Sequence, residues 1–373
     1  MRRSVVALAA AISCCIAPTA EAAPSPPPSG FYGVAASGPV LDGRVSLTRE
    51  LRRMRSNGVE QISVSLYWSQ VEPSGPPDVA PEDWSELDTV VAKAAAKHLR
   101  VLPVVVGAPA WARLDATLPF SPPADPAAYG AFVGRAAARY GRGGTFWKAH
   151  KSLPSLPIRD WQIWNEPSGG NGVDDPSIFW QDAAPWADRY VAMLKASRAA
   201  LRQADPSARV VLGGLLGRSW DALSLLYAHG AGPYFDILGV HPYTGHADRV
   251  DDLILKCLSV LNSHGDRRKR VIATELGWPS FNSPSYKQVG ATQTAKDQRQ
   301  YAYKMLHELS SEHKALRLDA IFWFTWMTTD TSANDAFDYS GLTRFTVKHT
   351  VVAKPALGVF RQLALSARRA RAR

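Results

Sequence analysis

The sequence predicts an α/β protein built as a single (β/α)8 TIM barrel, and three observations carry that reading. Short β-branched or aromatic runs alternate with longer Ala- and Leu-rich amphipathic stretches, the pattern of repeated βα units. Eight strand-like runs occur, and polar and aromatic residues gather just after them, at the end where such a barrel places its site. No second composition zone or linker interrupts the series, and about 340 residues hold eight units with enlarged loops.

Taken in order, residues 1–22 read as a secretory signal. Arg2 and Arg3 precede the apolar run Val5 to Ala17, which is too short to span a bilayer, and Ala20-Glu21-Ala22 offers a small-residue cleavage site. The Arg-Arg pair and Cys14 lack the flanks of a twin-arginine or lipoprotein signal, so general export to the cell envelope or beyond is expected, with no integral membrane segment once the signal is removed. Residues 23–30 form a Pro/Ser linker, residues 31–366 the barrel, and residues 367–373 an Arg-rich tail read as solvated. The expected strands are Phe31 to Ser37, Ile62 to Trp68, Val101 to Gly107, Ile158 to Trp164, Val210 to Leu216, Phe235 to Val240, Val271 to Glu275 and Ala320 to Trp326. The helical patterns between them are Trp84 to His98, Ala127 to Tyr140, Trp186 to Gln203, Val250 to Ser263 and Gln298 to His313, with a last one from Pro355 to Leu365. A doubly wound open sheet is the alternative, but Ala35-Ala36-Ser37-Gly38-Pro39 is not the Gly-rich loop that usually follows its first strand.

Composition excludes several classes. With 46% hydrophobic and 20% charged residues the chain is neither disordered nor fibrous. Cys14 and Cys15 fall in the signal, which leaves Cys257 alone and rules out an intrachain disulfide in the mature chain. Of the formal net charge of +10, the signal supplies one and the arginine tail four, leaving +5 for the body. No basic stripe or recognition helix accompanies that excess, so no nucleic-acid partner is expected.

Two carboxylates stand out. Glu166 ends the fourth strand and Glu275 the seventh; they are 109 residues apart, which is three βα units of about 36 residues. They therefore face each other across one small barrel. Alternation of side chains along a strand predicts that Glu166 shares its face with Trp164 and Gln162, that Glu275 shares one with Ala273 and Val271, and that His241 shares one with Tyr243 and Gly239. Facing carboxylates across a sugar-sized gap suit glycosidic cleavage, in which one protonates the leaving oxygen while the other attacks the anomeric carbon or activates water. Neither task needs a metal or a cofactor.

Trp164-Asn165-Glu166-Pro167 and Thr274-Glu275-Leu276-Gly277-Trp278 resemble the signatures of the clan of retaining (β/α)8 glycoside hydrolases. Tyr67-Trp68-Ser69-Gln70-Val71-Glu72-Pro73, Pro109-Ala110-Trp111-Ala112, His241-Pro242-Tyr243 and Asp297-Gln298 are similar to segments of its family-39 and family-5 type exported bacterial members. The resemblance runs from Tyr32 to about Leu365. It implies a secreted enzyme cleaving β-linked sugars of a polysaccharide or oligosaccharide, with Glu166 as general acid/base and Glu275 as nucleophile. It further implies that Asn165 binds the sugar 2-hydroxyl, that Tyr243 holds the Glu275 carboxylate, that His241 lines the pocket, and that Trp323 or Trp326 forms the platform under the sugar. Many relatives carry an arginine on strand two beside the nucleophile, where this chain reads Ile62-Ser63-Val64-Ser65-Leu66; hydroxyls and Tyr243 are expected to serve instead.

Sugar rings dock on aromatic faces, so tryptophans at strand ends, Trp68 and Trp278 included, are candidate subsite walls. Trp84, Trp147, Trp180, Trp186 and Trp220 fall on helices or loops and read as packing residues. Asp330, Asp335 and Asp338 follow the eighth strand as candidates for sugar hydroxyls, with a spacing that does not match a calcium loop. A monomer is expected. The alternative reading is a catalytically weak carbohydrate-binding or cell-envelope interaction protein on the same barrel.

Overall fold

The computed structural model describes residues 25–168, 178–181, 185–281, 294–332 and 335–373, so the signal lies outside the described residues. Eight parallel strands close into a barrel in chain order: β1 (Tyr32–Ala35), β2 (Gln61–Tyr67), β3 (Arg100–Val106), β4 (Asp160–Ile163), β5 (Arg209–Leu216), β6 (Ile237–His241), β7 (Arg270–Leu276) and β8 (Leu318–Trp323). Their connections hold the long helices α1 (Leu47–Ser56), α2 (Ser85–Ala95), α3 (Pro126–Tyr140), α4 (Trp186–Ala204), α5 (Ser219–Ala228), α6 (Val250–Ser263) and α7 (Ala295–Ser311), and α8 (Pro355–Arg371) follows β8. This is the single (β/α)8 barrel that the alternation of strand-like and helical runs predicts. No helix among the described residues is long and apolar enough to cross a membrane.

Local chemistry sets the helix starts. Ser46, Asp125 and Thr294 each accept a bond from a first-turn amide, and Pro126 opens α3, where its missing N–H costs nothing. The β-branched runs pack in two layers. Leu102, Val211, Ile237, Ile272, Ala320 and Phe322 fill the barrel's interior, while the outward strand residues join the helices in one large core. Within that core α3 and α4 approach closely, since a Cβ on Gly130 would lie 2.7 Å from the backbone of Ala196. Tyr129 of α3 and Tyr190 of α4 reach inward from this pair. Their hydroxyls donate to the carbonyls of Val105 and Ile163 at 2.7 and 2.8 Å and so fix the end of β4.

The structure departs from the sequence reading at two places on the periphery. The run 367–373 is not a separate tail, although Arg368 and Arg369 are exposed as expected: α8 continues to Arg371, buries Ala367, and anchors Arg371 on Glu60 and on the carbonyls of Pro27 and Pro28. After β8 the chain adds a small sheet of Met327–Thr328, Thr343–Phe345 and Val351–Ala353, whose strands are too short to show a period. The three aspartates of that region are engaged within the protein. Asp335 accepts from the Phe337 amide, Asp338 from the amides of Thr329, Thr331 and Ser332, and Asp330 pairs with Lys354 at 2.8 Å.

The Lys354–Asp330 pair is a strong constraint because both side chains are less than a tenth exposed, and Lys354 also donates to the Tyr339 carbonyl and the Ser280 hydroxyl. It thereby ties the loop after β7 to the loop after β8. Lys354→Met should cost about 3–5 kcal/mol in urea unfolding by stranding a buried carboxylate. Adding Asp330→Asn should recover most of that loss; equal losses in the single and double variants would mean that charge is not what matters there.

Candidate active site

The polar end of the barrel is built from the tips of β4, β5, β6 and β7. Regular strand geometry ends at Ile163, because Trp164 and Glu166 both take left-handed backbone angles, φ +63° and +43°. Such angles are uncommon outside glycine and are kept where the surroundings impose them. The alternation expected for Gln162, Trp164 and Glu166 therefore fails beyond β4. Gln162, paired with the inward Val211, stays inside the barrel, whereas Trp164 turns into the helix layer, its ring 6.0 Å from Tyr129 and 5.9 Å from Trp180. Gln162 donates from Nε2 to the Trp164 carbonyl and to Asn165 Oδ1, both at 3.1 Å, and so holds the turn that presents Asn165 and Glu166.

A second irregularity aims Glu275. On β7 it is Ile272 that joins the interior, which puts Val271 and Ala273 on the outer face, opposite to the parity expected from the sequence. A register shift between Ala273 and Leu276 turns the strand at its end and brings Glu275 to the mouth. His241, the last residue of β6, lies over Gly214 of β5, where any Cβ would stand 2.1 Å from His241 Nε2. Glycine is needed there for the imidazole to fit.

These elements gather three groups. His241 Nδ1 lies 2.6 Å from Glu166 Oε1 and 3.7 Å from Glu275 Oε2, and the Tyr243 hydroxyl donates to Glu275 Oε2 at 3.1 Å. The ligand-type atoms of Glu166, His241 and Glu275 all fall within 4.8 Å of one another. Two carboxylates and an imidazole form a plausible donor set for a divalent cation. However, a 2.6 Å contact is a hydrogen bond, shorter than the roughly 3 Å or more that separates two ligands on one ion with bonds near 2.1 Å.

Electrostatics bind the three together. Burial raises the Glu275 carboxyl to about 7, and the Glu166 charge adds to the rise, against the opposing pull of His241 and Tyr243. Burial would lower the His241 imidazole, but the two carboxylates outweigh it and raise it above its ordinary value. Tyr243 stands beside Glu275 as expected in place of a strand-two arginine, and His241 joins it there. Among the described residues the polar partners of Glu275 are Tyr243 and His241, so an imidazole rather than a strand-two arginine stands beside it. One carboxyl can hold a proton here while the other is charged, the division of labour that acid-assisted displacement requires.

Trp84, Trp147, Trp180, Trp186 and Trp220 pack in or against the core as the sequence reading has them, but the strand-end tryptophans are placed differently. Trp68, Trp278, Trp323 and Trp326 are all fully buried and show no open ring face. Their indole N–H groups are spent inside the protein, on Glu72, on the carbonyls of Thr244 and Ser340, and on Glu50 respectively. They are walls that hold the loops, with Trp68 stacked on Phe132 in the helix layer. Among the described residues, the exposed aromatics near the mouth include Trp111, after β3, and Phe281, after β7 and stacked on Tyr339 at 4.7 Å. Their positions directly after strands were the available signal. The Asp297-Gln298 motif also acquires a place: Gln298 is buried and donates to the Trp278 and Ser340 carbonyls, joining the loops after β7 and β8.

Several solved glycosidase barrels share this architecture. A family 39 glycoside hydrolase from Bacteroides cellulosilyticus WH2 superposes with TM-score 0.62 at 18% identity over 91% of this chain, which spans 64% of that protein's length. A GH39 enzyme from Xanthomonas axonopodis pv. citri gives TM-score 0.67 at 16% identity, covering 92% of this chain and 68% of that one. The GH53 catalytic domain of Ignisphaera aggregans gives 0.60 at 20% identity, covering 91% and 99%. At these identities the likeness is one of fold. Neither a protein-family model nor a curated protein matches the chain.

The raised groups fix how stability responds to pH. A carboxyl at about 7 in the folded state, against about 4.5 unfolded, keeps a proton that the unfolded chain releases, and the raised His241 acts in the same sense. Stability should therefore be highest below pH 4.5 as far as these groups are concerned, and fall by at most roughly 1.4 kcal/mol per pH unit and proton up to 7. Urea unfolding between pH 5 and 8 should show a shallower fall in Glu275→Gln. In Tyr243→Phe, which loses a donor to the charged form, the fall should extend to higher pH; identical slopes in all three proteins would contradict this electrostatic account.

Proposed function

We propose that the protein is a secreted retaining glycoside hydrolase that cleaves β-linked sugars of a polysaccharide or oligosaccharide by double displacement. The observation that carries this reading is the separation of the two carboxylates. Their facing oxygens lie within 4.8 Å, close to the roughly 5–5.5 Å of retaining enzymes and short of the roughly 6.5–9.5 Å that leaves room for water in inverting ones. The similarity in fold to barrels described as family 39 and GH53 glycoside hydrolases agrees with it.

In this reading a Glu275 oxygen attacks the anomeric carbon as the glycosidic C–O bond breaks, and the Glu166 carboxyl passes its proton to the leaving oxygen. Water then attacks the glycosyl–Glu275 ester while Glu166 takes the water's proton, which frees Glu275. His241 lies between the two, so charge that leaves one carboxylate and grows on the other stays within reach of a single ring nitrogen. Asn165, held by Gln162 and next to Glu166 in the chain, would bind the sugar's 2-hydroxyl.

With an aryl β-glycoside, an NMR time course should give as first product the sugar of unchanged anomeric configuration, and the inverted anomer would refute the scheme. Glu275→Ala should be inactive. Glu166→Ala should retain the first step on good leaving groups, deglycosylate slowly, and regain turnover with azide; rescue of Glu275→Ala instead would exchange the roles. Binding of oligosaccharides with no hydrolysis of any of them would favour the carbohydrate-binding alternative.

A further inference from the structure

At the opposite end of the barrel, where β1 to β4 begin, a cavity of about 420 Å³ is lined by Arg55, Glu60, His98, Arg100, Arg368 and Arg371. Four guanidinium groups share this space with one carboxylate, Glu60, whose Oε1 pairs with Arg371 while Oε2 is buried without a hydrogen-bond partner. Arg100 makes a long bond of 3.3 Å to the Ser29 carbonyl. Arg55, half-buried at the end of α1, has no hydrogen-bond or ion-pair partner among the described residues. Burial and the nearby Arg368 work against its charge more than the single carboxylate of Glu60 supports it.

Helix dipoles explain why arginines stand at the ends of α1 and α8, but not why side chains from α1, α8 and the start of β3 converge on one hollow. The adjoining cavity provides the contrast. It is of equal size and also lined by arginines, yet there Arg209 is gripped by Asp160 at 2.6 and 2.8 Å with Asp319 at 3.9 Å, so its charge is met.

We propose that the first cavity is an anion site for a phosphate group, either free or carried on a phosphodiester polymer. A phosphate suits it because guanidinium forks match its oxygens bidentately, and its two negative charges answer more than one unneutralised arginine. The hollow exceeds one phosphate in size, which leaves room for the organic part of a larger ligand. The site lies across the barrel from Glu166 and Glu275, so it anchors the protein without touching the reacting groups.

The test is thermal unfolding of the full chain in sodium phosphate against sodium chloride at equal ionic strength. At a hundredfold excess over Kd, phosphate should raise Tm by roughly 5 °C. Arg55→Gln removes no hydrogen bond or ion pair, and it relieves the repulsion from Arg368 as it gives up the attraction of Glu60, so it should fold with little change of Tm in chloride and lose the phosphate shift; Arg368→Gln, on an exposed position, should reduce it. Calorimetric titration with inorganic phosphate and with a glycerol-phosphate oligomer then identifies the source: tighter binding of the oligomer supports the site with a polymer ligand, and equal or weaker binding supports it with free phosphate. An equal rise in Tm in chloride, a full shift in Arg55→Gln, or no shift in the wild type would overturn the proposal.

Discussion

The mouth of the barrel depends on one buried imidazole placed between two carboxylates. Two glutamates this close repel, and burial raises Glu275 further; without a cation in contact neither arrangement of charge would be comfortable. When protonated, His241 supplies that cation at 2.6 Å from one and 3.7 Å from the other, and the two carboxylates in return raise its affinity for the proton against the effect of burial. Glu275 and His241 each shift the other's hold on a proton, so neither alone owns the site's acid–base behaviour.

The rest of the fold serves to keep that triangle in place. Gly214 leaves the volume the imidazole occupies, the hydroxyls of Tyr129 and Tyr190 hold β4 where it ends, and Gln162 braces the turn that carries Asn165 and Glu166. On the other wall, Gln298 and Lys354 tie together the loops after β7 and β8, over which Trp278 and Trp323 are packed. The left-handed angles at Trp164 and Glu166 are strain that this bracing sustains.

The barrel was legible in the sequence because its units repeat: eight β-branched runs and the helices between them announce themselves by period, and the positions of Glu166 and Glu275 follow from counting units. What the sequence withheld is what breaks the period. Parity along β4 and β7 misassigned the neighbours of both glutamates, since a left-handed turn and a register shift redirect each chain end just where the chemistry lies. The bond from Tyr243 to Glu275 agrees with the placement that resemblance implied, whereas the bridging position of His241 depends on the absent side chain of Gly214, a contact between strands that no local pattern encodes. The tryptophans misled for a similar reason, because a strand-end position fixes neither the direction of a ring nor the partner of its N–H. The last arginines read as a charge run, yet α8 simply continues, since nothing in Leu365 to Arg371 stops a helix and Ala367 has a core to meet.

The central claim is that Glu275 attacks sugar while Glu166 manages the proton. It is tested most directly by trapping with a 2-deoxy-2-fluoro β-glycoside that carries a good leaving group. The fluorine destabilises the positive charge that develops in both steps, and the leaving group keeps the first step fast, so the glycosyl ester accumulates. Mass spectrometry of the digested protein should find one added sugar on the peptide that holds Glu275, with the label absent from Glu275→Gln. A label on Glu166, or an active enzyme that takes up no label at all, would contradict the account.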